Sequence, residues 1–248
     1  MKRIILAAFM VLLAICVSAQ TSQTEKKVTI IDGYFFYENP VSRQKIVKMH
    51  ILRTPNGASA LGLELSEPLP QRALKYAVPK EQIPEGELLL QRYNEVKKSQ
   101  SGISVIPVKQ SILKEGDKFP DFSETDIDGK KWTNTDVKGK VMVLNLWYTG
   151  CGPCRTEMPE LSTWKDEMPD VMFFSSTYED AERARPVLEA QKFNWIPLVN
   201  DSQFTKFIGS NGYPMTIVVD KEGIIAKVEF GTSAIQREDL KETIRSLR

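Results

Sequence analysis

Hydrophobic and polar positions divide the chain into three stretches with different grammars. Residues 4–17 are apolar without a break. Residues 28–37, 45–53 and 59–65 are short runs of the strand-forming kind, with Asn56-Gly57 as a turn signal between the second and third. Residues 73–78 read as another strand. Pro79, Pro84 and Gly86 punctuate the next stretch, and then Leu88, Leu89, Tyr93 and Val96 recur near helical spacing, predicting a helix over 87–98. A loop at 99–102 and a strand at 103–108 complete this part. Residues 28–110 thus read as a small β-rich domain without an internal repeat or a cluster of catalytic residue types.

From Lys114 the pattern changes. Asp126-Ile127-Asp128-Gly129 is a turn between short strands, and residues 141–147 are nearly all apolar, as in a strand buried on both faces of a sheet. A helix begins at Cys151, then come a buried strand at 171–175 and a helix at 179–191. Residues 216–220 and 224–230 form a hairpin across Lys221-Glu222-Gly223. Ile235, Leu240, Ile244 and Leu247 give the last helix one apolar face. Strand and helix alternating before a terminal hairpin and helix predict an α/β fold with a mixed sheet flanked by helices over 111–248, preceded by the β-rich domain.

The first stretch changes the picture of where the chain works. Lys2 and Arg3 precede the apolar run, and Val17-Ser18-Ala19 ends it in a small-residue cleavage pattern, so residues 1–19 read as a secretory signal cut after Ala19. The run is shorter than the ~20 residues a spanning helix needs. Cys16 raises a rival, a lipid-bearing cysteine, but Ile15 stands where such sites want a small residue. Residues 20–27 are polar and read as a flexible leader. The expected location is periplasmic.

Charge and composition exclude several classes. With 33 basic and 32 acidic residues among 248, no basic excess points to nucleic acid or to an anionic membrane surface. The three Cys and one His would all be needed for a four-ligand zinc site. Asp126 and Asp128 lack the other positions of a calcium loop. No metal is therefore expected, and no bound cofactor is required, since the two thiols of Cys151 and Cys154 can hold electrons themselves. His50, in a strand-like run, reads as an ordinary surface or core residue.

Removing the signal leaves Cys151 and Cys154 as the only cysteines, spaced C-x-x-C in an exported protein. That spacing allows a redox dithiol, a structural disulfide or half a metal site. At the start of a helix, Cys151 sits where free backbone N–H groups and the helix dipole stabilise a thiolate. Pro153 suits the first turn, where its missing N–H costs nothing. Cys154 lies one turn further in and more shielded. In the redox reading Cys151 attacks a partner's disulfide and Cys154 resolves the mixed disulfide.

Asn145-Leu146-Trp147-Tyr148-Thr149-Gly150-Cys151-Gly152-Pro153-Cys154 resembles the strand and active-site turn of the thioredoxin superfamily, and more closely its exported TlpA/ResA-like branch. Pro159 matches the proline that kinks the family's active-site helix. Tyr213-Pro214 matches its cis-proline, and Gly116-Asp117-Lys118-Phe119-Pro120-Asp121-Phe122 resembles the branch's usual opening. The likeness covers residues 114–248. It implies a thiol-disulfide oxidoreductase that reduces disulfides of other exported proteins, is re-reduced by a membrane thiol electron donor, and serves redox homeostasis in that compartment. It places Gly152, Pro153, Tyr213 and Pro214 on the substrate-binding surface, with the backbone of Tyr213 free to pair with a bound peptide.

The chain departs from the family at two places. Asn145 stands where thioredoxins carry a buried Asp, and Asn cannot accept a proton in the same way. Glu157, at i, i+3 from Cys154, matches a carboxylate thought to manage protons in the ResA-like branch, and is expected to help deprotonate the resolving thiol. Gly150 replaces the Trp usually found before the first cysteine. Trp147 is expected to pack under the site. Oxidase or isomerase action is the neighbouring enzymatic alternative, since direction depends on potential. A binding or adaptor protein using the fold as a scaffold is the alternative from another class. The β-rich domain motivates it, as a partner-recognition unit or the seat of a homodimer.

Overall fold

The computed structural model describes residues 27–99, 101–104 and 112–248. The signal, Cys16, nearly all of the leader, residues 105–108 of the last expected N-terminal strand and the 110/111 boundary lie outside the described residues.

The N-terminal region is a five-stranded sheet carrying one long helix. Its elements are β1 (Val28–Ile31), β2 (Tyr34–Phe36), β3 (Ile46–Arg53), β4 (Ser59–Leu65), α1 (Gly86–Lys98) and β5 (Ile103–Ser104), with strand order β2-β1-β4-β3-β5. The run 28–37 is two strands rather than one. Asp32 (φ 49°) and Gly33 (φ 87°) both take left-handed backbone, and this Asp-Gly pair turns β1 back into antiparallel β2. Residues 73–78 are not a strand. Pro70 precedes a 3-10 helix, Gln71–Tyr76, closed by Ala73 N–H donating to Pro70 O (2.8 Å) and Ala77 N–H to Leu74 O (3.0 Å). The apolar residues there pack in turns against the core rather than alternating across a sheet.

Leu89 and Tyr93 bury α1 against the sheet. Tyr93 lies over Gly62 of β4, where a Cβ would stand 2.7 Å from its ring, and its hydroxyl donates to Leu63 O at 2.9 Å. His50 is buried on β3, with Nε2 2.6 Å from the Glu64 carboxylate.

The C-terminal region begins with a hairpin, β6 (Ser123–Thr125) and β7 (Lys131–Thr133). The Asp126 carboxylate accepts the Asp128 and Lys130 N–H groups and Trp132 Nε1–H within the turn. The chain continues through α2 (Asn134–Val137), β8 (Met142–Leu146), α3 (Gly152–Glu167), β9 (Met172–Ser176), α4 (Ala181–Ala190), β10 (Ile196–Leu198), α5 (Thr205–Ile208), β11 (Met215–Val219), β12 (Ile225–Phe230) and α6 (Ala234–Leu247). The second sheet has order β10-β9-β8-β11-β12, with β8, β9 and β10 parallel and the other pairings antiparallel. β10 and the four-residue helices α2 and α5 are not among the elements expected from the sequence. Pro197 lies in the three-residue β10, which an edge strand tolerates.

β8 sits at the centre of this sheet and is buried throughout. Its alternation sends Met142, Leu144 and Leu146 to one core and Val143 and Trp147 to the core beneath α3 and α6. Asn145 shares the second face. Because β11 runs antiparallel to β8 with Leu146 opposite Met215, the chain leaving β8 and the chain entering β11 meet at one end of the sheet. That end holds Tyr148–Cys154 and Tyr213-Pro214. Among the described residues no helix is long and apolar enough to cross a membrane.

Candidate active site

Cys151 is the N-cap of α3, and its Sγ accepts the Cys154 N–H at 3.2 Å. In the reduced protein this position exposes the thiolate to the free N–H groups and positive end of a 16-residue helix. The two cysteines are joined as a disulfide, Cα to Cα 5.3 Å. Cys154 is fully buried, Cys151 keeps a sliver of surface, and Gly152 and Pro153 are exposed beside it. Trp147 is buried in the same cluster as both cysteines. The Tyr213–Pro214 bond is cis, with Tyr213 half-buried and Pro214 buried.

Glu157 faces the sheet from α3 and is buried. Asn145 Nδ2 donates to its Oε1 at 3.0 Å and to Thr216 Oγ1 at 3.0 Å, and Thr232 Oγ1–H donates to its Oε2. Burial pushes the carboxyl up to about 7, while the bonds from Thr232 and Asn145 and the charge of Arg237 pull the other way. A carboxyl that titrates near neutrality is suited to exchange a proton with a thiol. Asn145, where thioredoxins place an acid, thus acts as a donor that holds this acid.

Five contributors carry no signal of their role in the sequence. The carboxylate of Glu179 accepts Thr149 N–H at 2.6 Å and Thr149 Oγ1–H at 2.8 Å, which fixes the loop ahead of Cys151. Thr232 donates to Glu157 from just before α6, and Arg237, bound to Glu160 Oε2 at 2.8 Å and to Thr232 O, brings its charge near it. Only the capping box Ser233…Gln236 at that helix start could have been read from sequence. Tyr148 and Tyr178 join Tyr213 in an aromatic cluster, with ring centroids of Tyr148 and Tyr213 5.1 Å apart and those of Tyr148 and Tyr178 6.3 Å apart. Gly150 fits beneath this cluster: a Cβ there would stand 2.9 Å from Tyr148 Cε2. Tyrosines from three loops therefore supply an aromatic surface although the usual Trp is missing.

The sequence model of the Redoxin family matches residues 114–244. The thioredoxin-like protein YneN of Bacillus subtilis is 30% identical over 129 residues, covering 50% of this chain and 76% of that protein. The thiol-disulfide oxidoreductase ResA of Geobacillus thermodenitrificans is 30% identical over 140 residues, covering 54% of this chain and 78% of the relative. Among solved structures, a Bacteroides thetaiotaomicron protein described as a protein disulfide isomerase aligns with TM-score 0.51 and 22% identity, over 56% of this chain and 92% of that one. A Chlorobium tepidum protein described as a thiol:disulfide interchange protein DsbE aligns with TM-score 0.50 and 22% identity, over 54% and 98%. The structural alignments bear on the fold.

Proposed function

The chain belongs to the Redoxin family and is a thiol-disulfide oxidoreductase of the ResA-like branch, and from that premise we propose that it is exported and reduces disulfides of other exported proteins through Cys151 and Cys154. The observation that carries the reading is the meeting, at one sheet end, of a dithiol at a helix N-terminus, the Tyr213-Pro214 loop and a buried carboxyl. Export rests on the signal pattern of residues 1–19.

In the forward reaction the Cys151 thiolate attacks one sulfur of the substrate disulfide. A mixed disulfide forms and the other substrate sulfur leaves as a thiolate. Cys154 gives its proton to Glu157 and attacks the Cys151 sulfur, which releases the second substrate thiolate and closes the Cys151–Cys154 disulfide. Two electrons pass to the substrate, and a membrane thiol donor returns them. Gly152, Pro153 and the backbone of Tyr213 line the side from which an extended substrate segment approaches.

The test uses the reduced full chain and a disulfide-bonded polypeptide. Cys151→Ser is expected to abolish reduction, and Cys154→Ser to accumulate a mixed disulfide visible by non-reducing mass analysis. A protein that serves only as a binding scaffold would keep its biological activity in Cys151→Ser, and that result would overturn the proposal.

A further inference from the structure

The segment that carries Thr232 is held from both sides. Toward the dithiol, Gly231 N–H donates to Pro214 O at 3.2 Å, Thr232 donates to Glu157, and Arg237 donates to Thr232 O. Away from it, the same segment is bound by residues 38–42 of the N-terminal region. Ser42 Oγ accepts the Phe230 N–H at 3.2 Å, and Asn39 O accepts from Ser233 Oγ at 2.8 Å. The Glu38 carboxylate accepts the Ala234 N–H at 2.6 Å, and Val41 O accepts from Gln236 Nε2 at 3.3 Å. Glu38 thereby puts a negative charge on the N-terminus of the 14-residue α6. Ser42 and Gln236 are buried, so these bonds lie in the packed contact.

We propose that residues 38–42 of the β-rich region are positioning residues of the redox site, holding the 230–236 segment so that Thr232 faces Glu157. The inference rests on the proton role of Glu157 given above, and it assigns work to a region that disulfide exchange by itself does not need. Disulfide exchange at that end of the sheet then depends on a contact that partners of the N-terminal region can reach, because Glu38 is exposed.

The groups acting on Glu157 are Asn145 from β8, Thr232 from the segment before α6, Arg237 near the start of α6, and Glu160 from α3. Of these, Thr232 lies in the segment that the N-terminal contact holds, whereas Arg237 is tied to Glu160 Oε2 at 2.8 Å. The Thr232 hydrogen bond favours the ionised carboxyl, so loosening it raises the pH at which Glu157 titrates.

The experiment tracks the carboxyl carbon of Glu157 by nuclear magnetic resonance through a pH titration of the full-length oxidised protein, its signal assigned by loss in Glu157→Gln. Thr232→Val is expected to raise the midpoint by about one pH unit, the worth of a hydrogen bond to a charged group. Glu38→Ala and Ser42→Ala are each expected to raise it in the same direction, and to add nothing once Thr232→Val is present. Arg92→Ala, an exposed change on α1, is expected to leave it in place. Midpoints unchanged or lowered in Glu38→Ala, or shifts that simply add to that of Thr232→Val, overturn the inference. Glu38→Ala alters an exposed side chain, so it decides the matter even if Ser42→Ala fails to fold. The readout needs no catalysis, so failure of the reductase proposal would show separately, as a dithiol that does not cycle.

Discussion

Replacing Glu157 with glutamine tests whether the buried carboxyl is held neutral by its surroundings. The folded protein raises this group from an ordinary 4.5 to about 7, chiefly by burial. At about 1.4 kcal/mol per pH unit, the difference amounts to roughly 3 kcal/mol between the two protonation states. The sign comes from proton binding. Between the unfolded and folded values the native state binds the proton more readily than the unfolded chain. The stabilising contribution is therefore complete below the unfolded value and is lost as pH rises through about 7. An amide keeps the shape, stays neutral, and still offers an oxygen to Asn145 Nδ2 or to Thr232.

The assay is urea unfolding of both oxidised proteins between about pH 4 and about pH 8, compared as a difference so that other titrating groups cancel. Relative to wild type, Glu157→Gln is expected to gain roughly 3 kcal/mol of stability across that range, most of it between the two titration points. A difference that stays flat with pH would contradict this, because it would mean that the carboxyl titrates in the fold as it does in the unfolded chain. Glu157→Gln is also expected to alter the pH dependence of disulfide exchange, and an unchanged profile would remove its proton role.

Glu124 on β6 is buried, and burial together with the neighbouring Asp201 carboxylate raises it to about 7. Glu124→Gln is therefore expected to gain stability relative to wild type as pH rises towards 7, read by the same urea series; a flat difference would show that the fold does not raise this carboxyl. Glu179→Gln keeps one acceptor for Thr149 but loses the charge, with an expected cost of about 1–2 kcal/mol. An unaltered unfolding midpoint would show that Glu179 does not hold the loop. Gly62→Ala puts a Cβ 2.7 Å from Tyr93 Cδ2 and 3.3 Å from Leu52 Cδ1, while the Tyr93 hydroxyl is tied to Leu63 O. It is expected to cost about 1–3 kcal/mol through overpacking, and a neutral result would show that the helix yields.

Much of this arrangement is written in local pattern. The all-apolar run ending at Trp147 marks the central strand, the C-x-x-C comes after it at a helix start, and Tyr213-Pro214 precedes the strand that pairs beside it. Each is a short-range signal. The contacts that complete the site are long-range: Thr149 with Glu179 spans 30 residues, and Glu157 with Thr232 spans 75. No spacing within either segment predicts such a meeting, and Glu157 itself enters the sequence reading only through the family resemblance. In the N-terminal region, Asp32-Gly33 is a legible hairpin turn that the surrounding apolar residues mask, and residues 73–78 mislead because their apolar positions suit a 3-10 turn as well as a strand. The hold of residues 38–42 on the start of α6 is visible only once both regions are folded together.

Whether Cys151 and Cys154 cycle as a redox pair is measured directly by their reduction potential. Full-length protein is equilibrated in graded thiol-disulfide buffers and free thiols are counted by alkylation and mass, with Cys154→Ser as the control that cannot close. A reversible two-electron transition is expected at about −270 mV or below, in the range of thioredoxin-like reductants. A value near about −120 mV would contradict the proposed direction and make the protein an oxidant. A pair that stays oxidised across every buffer in which the protein remains folded would show that the two cysteines do not cycle.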